Sequence, residues 1–440
     1  MPRMLCIPLT LVLLVGCGAE TPPSAPTPQP QGAAAPPAPP APYAGMTAFV
    51  GAKIWDGTGA RAMDDAVLLV KDGRIQEILS GIAADGADVV DLDGSWIVPG
   101  FINAHAHVSG RWADDEVQDA TERVRGDLAL YARYGVTTVL SLGDPPEALT
   151  IRAARDEAGL RHSRLYLAGA TIRSSDAAAA RAATTANVAR GVDWIKIRID
   201  DDLGTTQKMS WDAVQSVFEA AHAANLPVAT HIFYMEDAAR VLEMGTSLLA
   251  HSVRDRQVDD PFVERLLETG ICYVPTLTRE VSTFVYASRP DFFDDPFFRE
   301  AASQSEVDRV SDPGFMRRMA ESPSAAVYRQ ALVQAQENLR ILLGSGVPIA
   351  FGTDSGSAGR FPGYFEHIEF DLMIRAGLTP REALLSATSV AADCLGLQEI
   401  GTLEAGKWAD FVVLEKDPLR NIRNARAIRA VYIAGNEVPR

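Results

Sequence analysis

From Met46 to Val98 apolar and polar residues alternate in short runs, AFVGAKIW, AVLLVKDGRIQEIL and DVVDLDG, broken by Gly/Asp turns. Period-two runs of this kind predict β-strands, and KDGR reads as a hairpin turn. The texture returns at the far end in WADFVVLE and AIRAVYIAGNEV, the second with a Gly-Asn turn. The two β segments, residues 43–98 and 403–440, are expected to fold together as one small β-sandwich. Between them apolar, β-branched runs alternate with helix-period stretches. The runs are FINAHAHV, GVTTVLSLG, SRLYLAGA, VDWIKIRI, LPVATHIF, TSLLAHSV, ICYVPTLT and VPIAFGTD; SWDAVQSVFEAAHAAN and PREALLSATSVAADCLG exemplify the helices. This alternation predicts the α/β class, a (β/α)8 TIM barrel over residues 99–402. Residues 279–339, with RPD and FFDDPFF, separate the last two strands. Their aromatics are expected to be exposed, either as a cap over the barrel mouth or as a surface excursion.

The first residues have a different character. Arg3 supplies a positive charge, and Leu5–Val15 is an apolar run too short to cross a bilayer as a helix. It ends in Leu14-Val15-Gly16-Cys17, which resembles the lipobox of bacterial lipoproteins. The resemblance implies a signal over residues 1–17, a lipidated Cys17 as the membrane anchor and a place in the bacterial cell envelope. Gly18, where Asp commonly retains such proteins at the inner membrane, favours the outer membrane facing the periplasm. An ordinary cleaved secretory signal is the alternative. Residues 18–42, rich in Pro and Ala and nearly uncharged, should be an extended tether. No later apolar segment is long enough to span a membrane.

Composition is that of a soluble globular protein, 47% hydrophobic and 22% charged. The net charge of -16 and the lack of a long basic run argue against a nucleic-acid partner. Cys272 and Cys394 lie far apart. A disulfide is possible in an oxidising compartment, but the favoured reading is two buried, small apolar side chains.

The chemistry concentrates at strand ends. His105 and His107 are two apart on a strand, share a face and can converge on one metal ion. His231 closes the fifth strand, His251 the sixth and Asp354 the eighth, and Lys196 sits within WIKI on the fourth. A lone His is commonly a hydrogen-bonded core residue, and a lone Asp can cap a helix. Their arrival at the strand ends where barrel enzymes keep their catalytic groups points to a shared site. Lys196, flanked by Ile195 and Ile197, should face the barrel interior with Trp194 and Arg198. An ammonium there must be paired or neutralised. Carboxylation by CO2 would turn it into an anionic bridge for two cations; a salt bridge, for example to Asp354, is the alternative.

These pieces, PGFINAHAH, WIKI, THI, AHS and GTD, with HIEFDLMIRAGLTPREALLSATSVAA and GTLEAGKWADFVVLEKDP, resemble the amidohydrolase superfamily. The similarity is to its binuclear branch with a carboxylated lysine, and most of all to prolidase- and imidazolonepropionase-like members, over about residues 46–440. Asn103 departs from the Asp usual two residues before the first His. The resemblance implies that His105, His107 and Asp354 bind one divalent metal ion and His231 and His251 a second. Carboxylated Lys196 and a hydroxide would bridge them, and Asp354 would move the proton. Zinc is favoured, with Mn, Co or Fe able to use the same ligands.

Arg198 could clamp a substrate carboxylate or pair with Asp200. Tyr234 could donate to the substrate carbonyl or pack in a loop, and Arg254 could face the pocket or solvent. His162, His222 and His367 read as structural or surface residues. The expected activity is hydrolysis of an amide or peptide C–N bond in a dipeptide or N-acyl amino acid. Alternatives are a cyclic amidase, lactonase or phosphoesterase on the same centre, and a metal-binding lipoprotein without turnover. A homo-oligomer is possible.

Overall fold

The computed structural model describes residues 11–13, 41–81, 84–113 and 116–440. Most of the expected signal, Cys17 and the tether up to residue 40 lie outside the described residues. At the start of the folded unit, β1 (Thr47–Ile54), β2 (Met63–Lys71) and β3 (Arg74–Ser80) form an antiparallel meander. The β2–β3 turn is Asp72-Gly73, with φ of 51° and 78°. Two successive positive φ values are what a two-residue hairpin needs for its twist to match the strands. The other edge of β1 is shared, in parallel, by β4 (Asp88–Asp91) and then β5 (Trp96–Pro99).

From β5 the chain enters a parallel α/β region. β6 (Phe101–Ala106), β7 (Val136–Ser141) and β8 (Arg164–Leu167) form one parallel sheet. β9 (Ile195–Arg198), β10 (Val228–His231), β11 (Leu248–Ala250) and β12 (Cys272–Val274) form another. Isolated parallel bridges connect them: Ile172 with Ile197, Tyr273 with Ile349, and Ala106 with Ser355. Residues 348–355 thereby stand between β12 and β6. Tyr273 N donates to Pro348 O, Ala104 N to Phe351 O and Asp354 N to His105 O. The expected eighth strand is thus a line of backbone hydrogen bonds without regular strand geometry. One reason is crowding at Gly352, where a Cβ would lie 2.4 Å from Val274 Cγ1 and 3.0 Å from His105 N. Another is Asp354, which turns left-handed at φ 59°.

Period-two packing places Ile195 and Ile197 in the layer under the helices, with Val214, Val217 and Phe218. Trp194 joins a separate interior core with Leu140, Ala229, Ala250 and Ala350. Helix starts follow side-chain chemistry. Ser210 accepts from Ala213 N to open Trp211–Ala223, and Thr379 with Glu382 forms a capping box before Pro380–Ser386. The stretch PREALLSATSVAADCLG is two helices, the second being Ser389–Leu395.

Two expectations are corrected. Tyr286, Phe293, Phe297 and Phe298 of the insertion are buried, packed on one another and on Phe361 and Tyr364. The insertion's short helices carry these rings onto Phe361 and Tyr364 beyond it, where they join the main hydrophobic core. Cys272 and Cys394 form a disulfide, Cα–Cα 5.6 Å. It ties the start of β12 to the helix Ser389–Leu395; side chains distant in sequence meet where that helix packs at the strand's N-terminal end.

The chain then returns to the first sheet. β13 (Phe411–Leu414) pairs antiparallel with β5, β14 (Ile428–Ile433) with β13, and β15 (Asn436–Glu437) with β14. The order β15-β14-β13-β5-β1-β2-β3 interleaves both ends of the folded unit. Its core includes Phe49, Phe411 and Tyr432, whose ring centroids lie 4.7–4.9 Å apart. Among the described residues no helix is long and apolar enough to cross a membrane.

Candidate active site

β6 delivers His105 and, just beyond its end, His107; residues 348–355 deliver Asp354. Asp354 Oδ1 lies 2.7 Å from His107 Nε2 and 3.4 Å from His105 Nε2. One ligand atom from each of the three falls within 4.8 Å of the others. Burial pulls the His105 ring down to about 3, with Lys196 adding repulsion against the pull of Asp354. Burial acts in the opposite direction on Asp354. The Arg360 charge and the hydrogen bonds from both histidines outweigh it and hold the carboxyl well below its usual range. Neutral imidazoles and an ionised carboxylate are the forms that bind a cation.

The ends of β9, β10 and β11 supply the next group. The His251 ring centroid is 4.6 Å from that of His105 and 4.2 Å from that of His231. Each of these imidazoles is oriented through one nitrogen. His231 Nε2 lies 3.0 Å from Asp200 Oδ2, and His251 Nδ1 2.7 Å from Thr276 Oγ1. Such partners fix the direction of the remaining ring nitrogen. Burial, foremost, lowers both rings well below the ordinary histidine range. Lys196 is buried and its Nζ has no hydrogen-bond partner. The alternative salt bridge to Asp354 is therefore not formed. Burial brings its ammonium down to about 7, against the attraction of Asp354 and with repulsion from Arg198 and Arg173.

His105, His107, Lys196, His231, His251 and Asp354 line one cavity of about 290 Å³ together with Arg198. Arg198 pairs with Asp202 and stands 3.6 Å from Asp200. Tyr234 and Arg254 are not among the cavity residues. The Tyr234 hydroxyl donates to Asp201, 2.9 Å away. Arg254 is buried, with Nε 2.9 Å from Glu280 and Nη1 donating to Ile232 O and Ser252 O, so it faces neither solvent nor the cavity. His367 is buried and its Nε2 meets Tyr134 O at 3.0 Å. His162 bonds the Ser163 carbonyl.

Sequence reasoning missed Arg173, Arg279 and Arg360, which also line the cavity. It missed Asp200 and Thr276 as orienting partners too. Each lies a few residues past a strand end, in the loops that converge on the same mouth; that position was the available signal. Behind β6, Asn103 Nδ2 donates to Glu366 Oε1 (2.6 Å) and Thr353 Oγ1 (2.8 Å), while its Oδ1 accepts from His105 N (3.0 Å). An Asp at this position would set a second carboxylate against buried Glu366, whereas the Asn amide donates to it. Tyr131 completes the arrangement with bonds to Ser355 Oγ and His107 O.

Comparison with known proteins extends this geometry. An imidazolonepropionase of Deinococcus radiodurans is 27% identical over 400 residues, covering 86% of this chain and 92% of that one. An uncharacterised protein of Mycobacterium tuberculosis is 27% identical over 366 residues, 80% and 86% of the two chains. A solved Xaa-Pro dipeptidase with bound methionine superposes with TM-score 0.71 at 22% identity, over 90% of this chain and all of that one. Phenylurea hydrolase B superposes with TM-score 0.69 at 21% identity, over 90% and 97%. At these identities the solved structures establish a shared TIM-barrel-like fold with a β-domain. A family model, the amidohydrolase family, matches residues 96–438, from β5 through β15. The chain belongs to the amidohydrolase family, whose members are hydrolases acting on carbon–nitrogen bonds.

Proposed function

We propose that this protein is a metal-dependent amidohydrolase whose two parallel sheets and residues 348–355 close one (β/α)8 barrel. Its substrate is a dipeptide or N-acyl amino acid with a free carboxylate. The observation that carries this reading is the convergence of His105, His107 and Asp354 on one point, beside His231, His251 and an unpartnered Lys196. The donor set suits divalent cations, zinc above all. His105, His107 and Asp354 would hold one ion and His231 and His251 a second, with Lys196, carboxylated, between them. The orphaned, buried Nζ is what a carbamate would satisfy, and an amine lowered to about 7 is substantially neutral, the form that reacts with CO2. Such a pair of ions, when bound, lowers the pKa of water and polarises a carbonyl.

The chain's own residues do the rest. Asp354 accepts the proton of the attacking water and returns it to the departing nitrogen. Asp200 and Thr276 hold His231 and His251 in one orientation. Arg198, kept in place by Asp202, is presented to the substrate carboxylate. The test combines elemental analysis with a substrate panel. Purified protein should contain close to two divalent ions per chain and lose activity on chelation. Lys196→Ala should lose metal, with partial recovery on adding short carboxylic acids. Unchanged metal content in that variant would remove the bridging role. A panel of dipeptides, N-acyl amino acids and cyclic amides with no metal-dependent turnover would remove the hydrolase. Cyclic amides belong in it because of the imidazolonepropionase relative.

A further inference from the structure

Four guanidinium groups line the cavity that holds the candidate ligands: Arg173, Arg198, Arg279 and Arg360. The strand order separates them into two pairs. Arg173 follows the bridge at Ile172 and Arg198 ends β9. Arg279 follows β12 and Arg360 follows residues 348–355. Going round the strands, β10 and β11 lie between the pairs on one side, and β6 and β7 on the other. The pairs therefore stand across the mouth from each other, with the histidines between.

The second side carries more positive charge than acid, and on the first one arginine is left without a bonded acid. On the first, Asp202 pairs with Arg198 and Asp200 stands 3.6 Å from it, while the buried Arg198 Nε has no hydrogen-bond partner. Arg173, exposed at the rim, makes no hydrogen bond or ion pair among the described residues and lies between the repulsion of Arg198 and the attraction of Asp202. On the second side Glu280 is divided between Arg254 (2.9 Å) and Arg279 (3.1 Å). Arg360 is left with Asp354, whose other oxygen faces His105 and His107. Leu142 is the single apolar side chain lining this cavity among the described residues, so the lining favours polar and charged ligand groups. The molecule as a whole is strongly acidic, net charge -16, so a cationic mouth is a local departure that attracts anions.

Resting on the hydrolase reading above, we propose that the substrate is a dianionic amide with one carboxylate on each side of the scissile bond. One arginine pair reads the amine-side carboxylate and the other the acyl-side carboxylate. Water oxygen bonds to the acyl carbon, the C–N bond breaks, and the nitrogen takes a proton. The products are a dicarboxylic acid and an amino acid.

The test uses the metal-loaded protein and N-glutarylglycine. N-valerylglycine lacks the acyl-side carboxylate, and N-glutarylglycinamide lacks the amine-side one. Each deletion should lower kcat/KM by about 10- to 100-fold, the worth of a charge-assisted contact. Arg173→Met should erase one of these two increments and keep the other. Equal rates on N-valerylglycine and N-glutarylglycine, or both increments surviving in Arg173→Met, would overturn the proposal while leaving the hydrolase intact. Binding gives a readout apart from turnover. Calorimetry with linear dicarboxylates from succinate to sebacate should show one length bound at least about 10-fold more tightly than its monocarboxylate, by an Arg173-dependent margin. If that holds but nothing is hydrolysed, the two-anion site stands and the hydrolase falls. If no dicarboxylate is preferred, the two-anion site falls whatever is hydrolysed.

Discussion

Asp354, His251 and Thr276 all have left-handed backbone, with φ of 59°, 77° and 45°. Each is a non-glycine residue at a strand end in the candidate site, and each conformation costs on the order of 1 kcal/mol. The surrounding ladder, including Asp354 N to His105 O at 2.7 Å, holds Asp354 there. Asparagine tolerates this conformation well, so Asp354→Asn removes the carboxylate's charge while keeping the backbone. Turnover should fall by about 10²- to 10⁴-fold with the circular dichroism spectrum unchanged. Activity within a few-fold of the parent would exclude Asp354 as proton carrier. A second residue-scale prediction concerns His367, away from the cavity. Burial, then the charge of Arg426, lowers its ring from 6.5 to about 3. The unfolded chain therefore binds this proton first as the solution is acidified. Stability is lost as pH falls below about 6.5, and the loss ends near 3. His367→Gln should flatten that part of the curve of melting temperature against pH. An unaltered slope there would show that the ring does not govern it.

The elements divide into those a linear pattern can reveal and those it cannot. HAH, THI, AHS and GTD are visible because each ends an apolar run, and strand ends are where chemistry collects in such folds. KDGR is visible because only a two-residue turn with positive φ fits between its strands. Cys272 gave no comparable signal: its partner is 122 residues away, on a helix whose packing the local pattern does not encode. Arg173, Arg279 and Arg360 are equally silent, since an arginine in a loop looks the same whether it faces water or a cavity. The aromatic run FFDDPFF looked exposed because the rings it packs against, Tyr134, Phe361 and Tyr364, are distant in sequence. The disulfide yields the prediction at this scale. Closing a loop of this length, its loss in Cys272→Ser should cost about 2–5 kcal/mol, seen as a lower urea midpoint. A midpoint unchanged within error would mean that the crosslink adds no stability to β12 and the helix it joins.

For the whole molecule, Tyr43 and Met46 near the start of the folded unit pack against the cluster of Ala48, Val67 and Leu69. A chain beginning at Tyr43 should accordingly be soluble and as active as the full-length protein. Aggregation, or a large drop in kcat/KM, would mean that the preceding residues contribute to the fold. The opposite end is far less dispensable. β13 lies between β5 and β14, so residues 411–440 supply one whole side of the first sheet, three strands laid against β5. This has a consequence for the order of events at the ribosome. Five strands and the α/β region emerge before their last sheet partners have been made, and β5 waits with a bare edge able to join a neighbouring chain. Translation must pass β13 before that seam can close, so termination ahead of it yields a sticky fragment and not a smaller working protein.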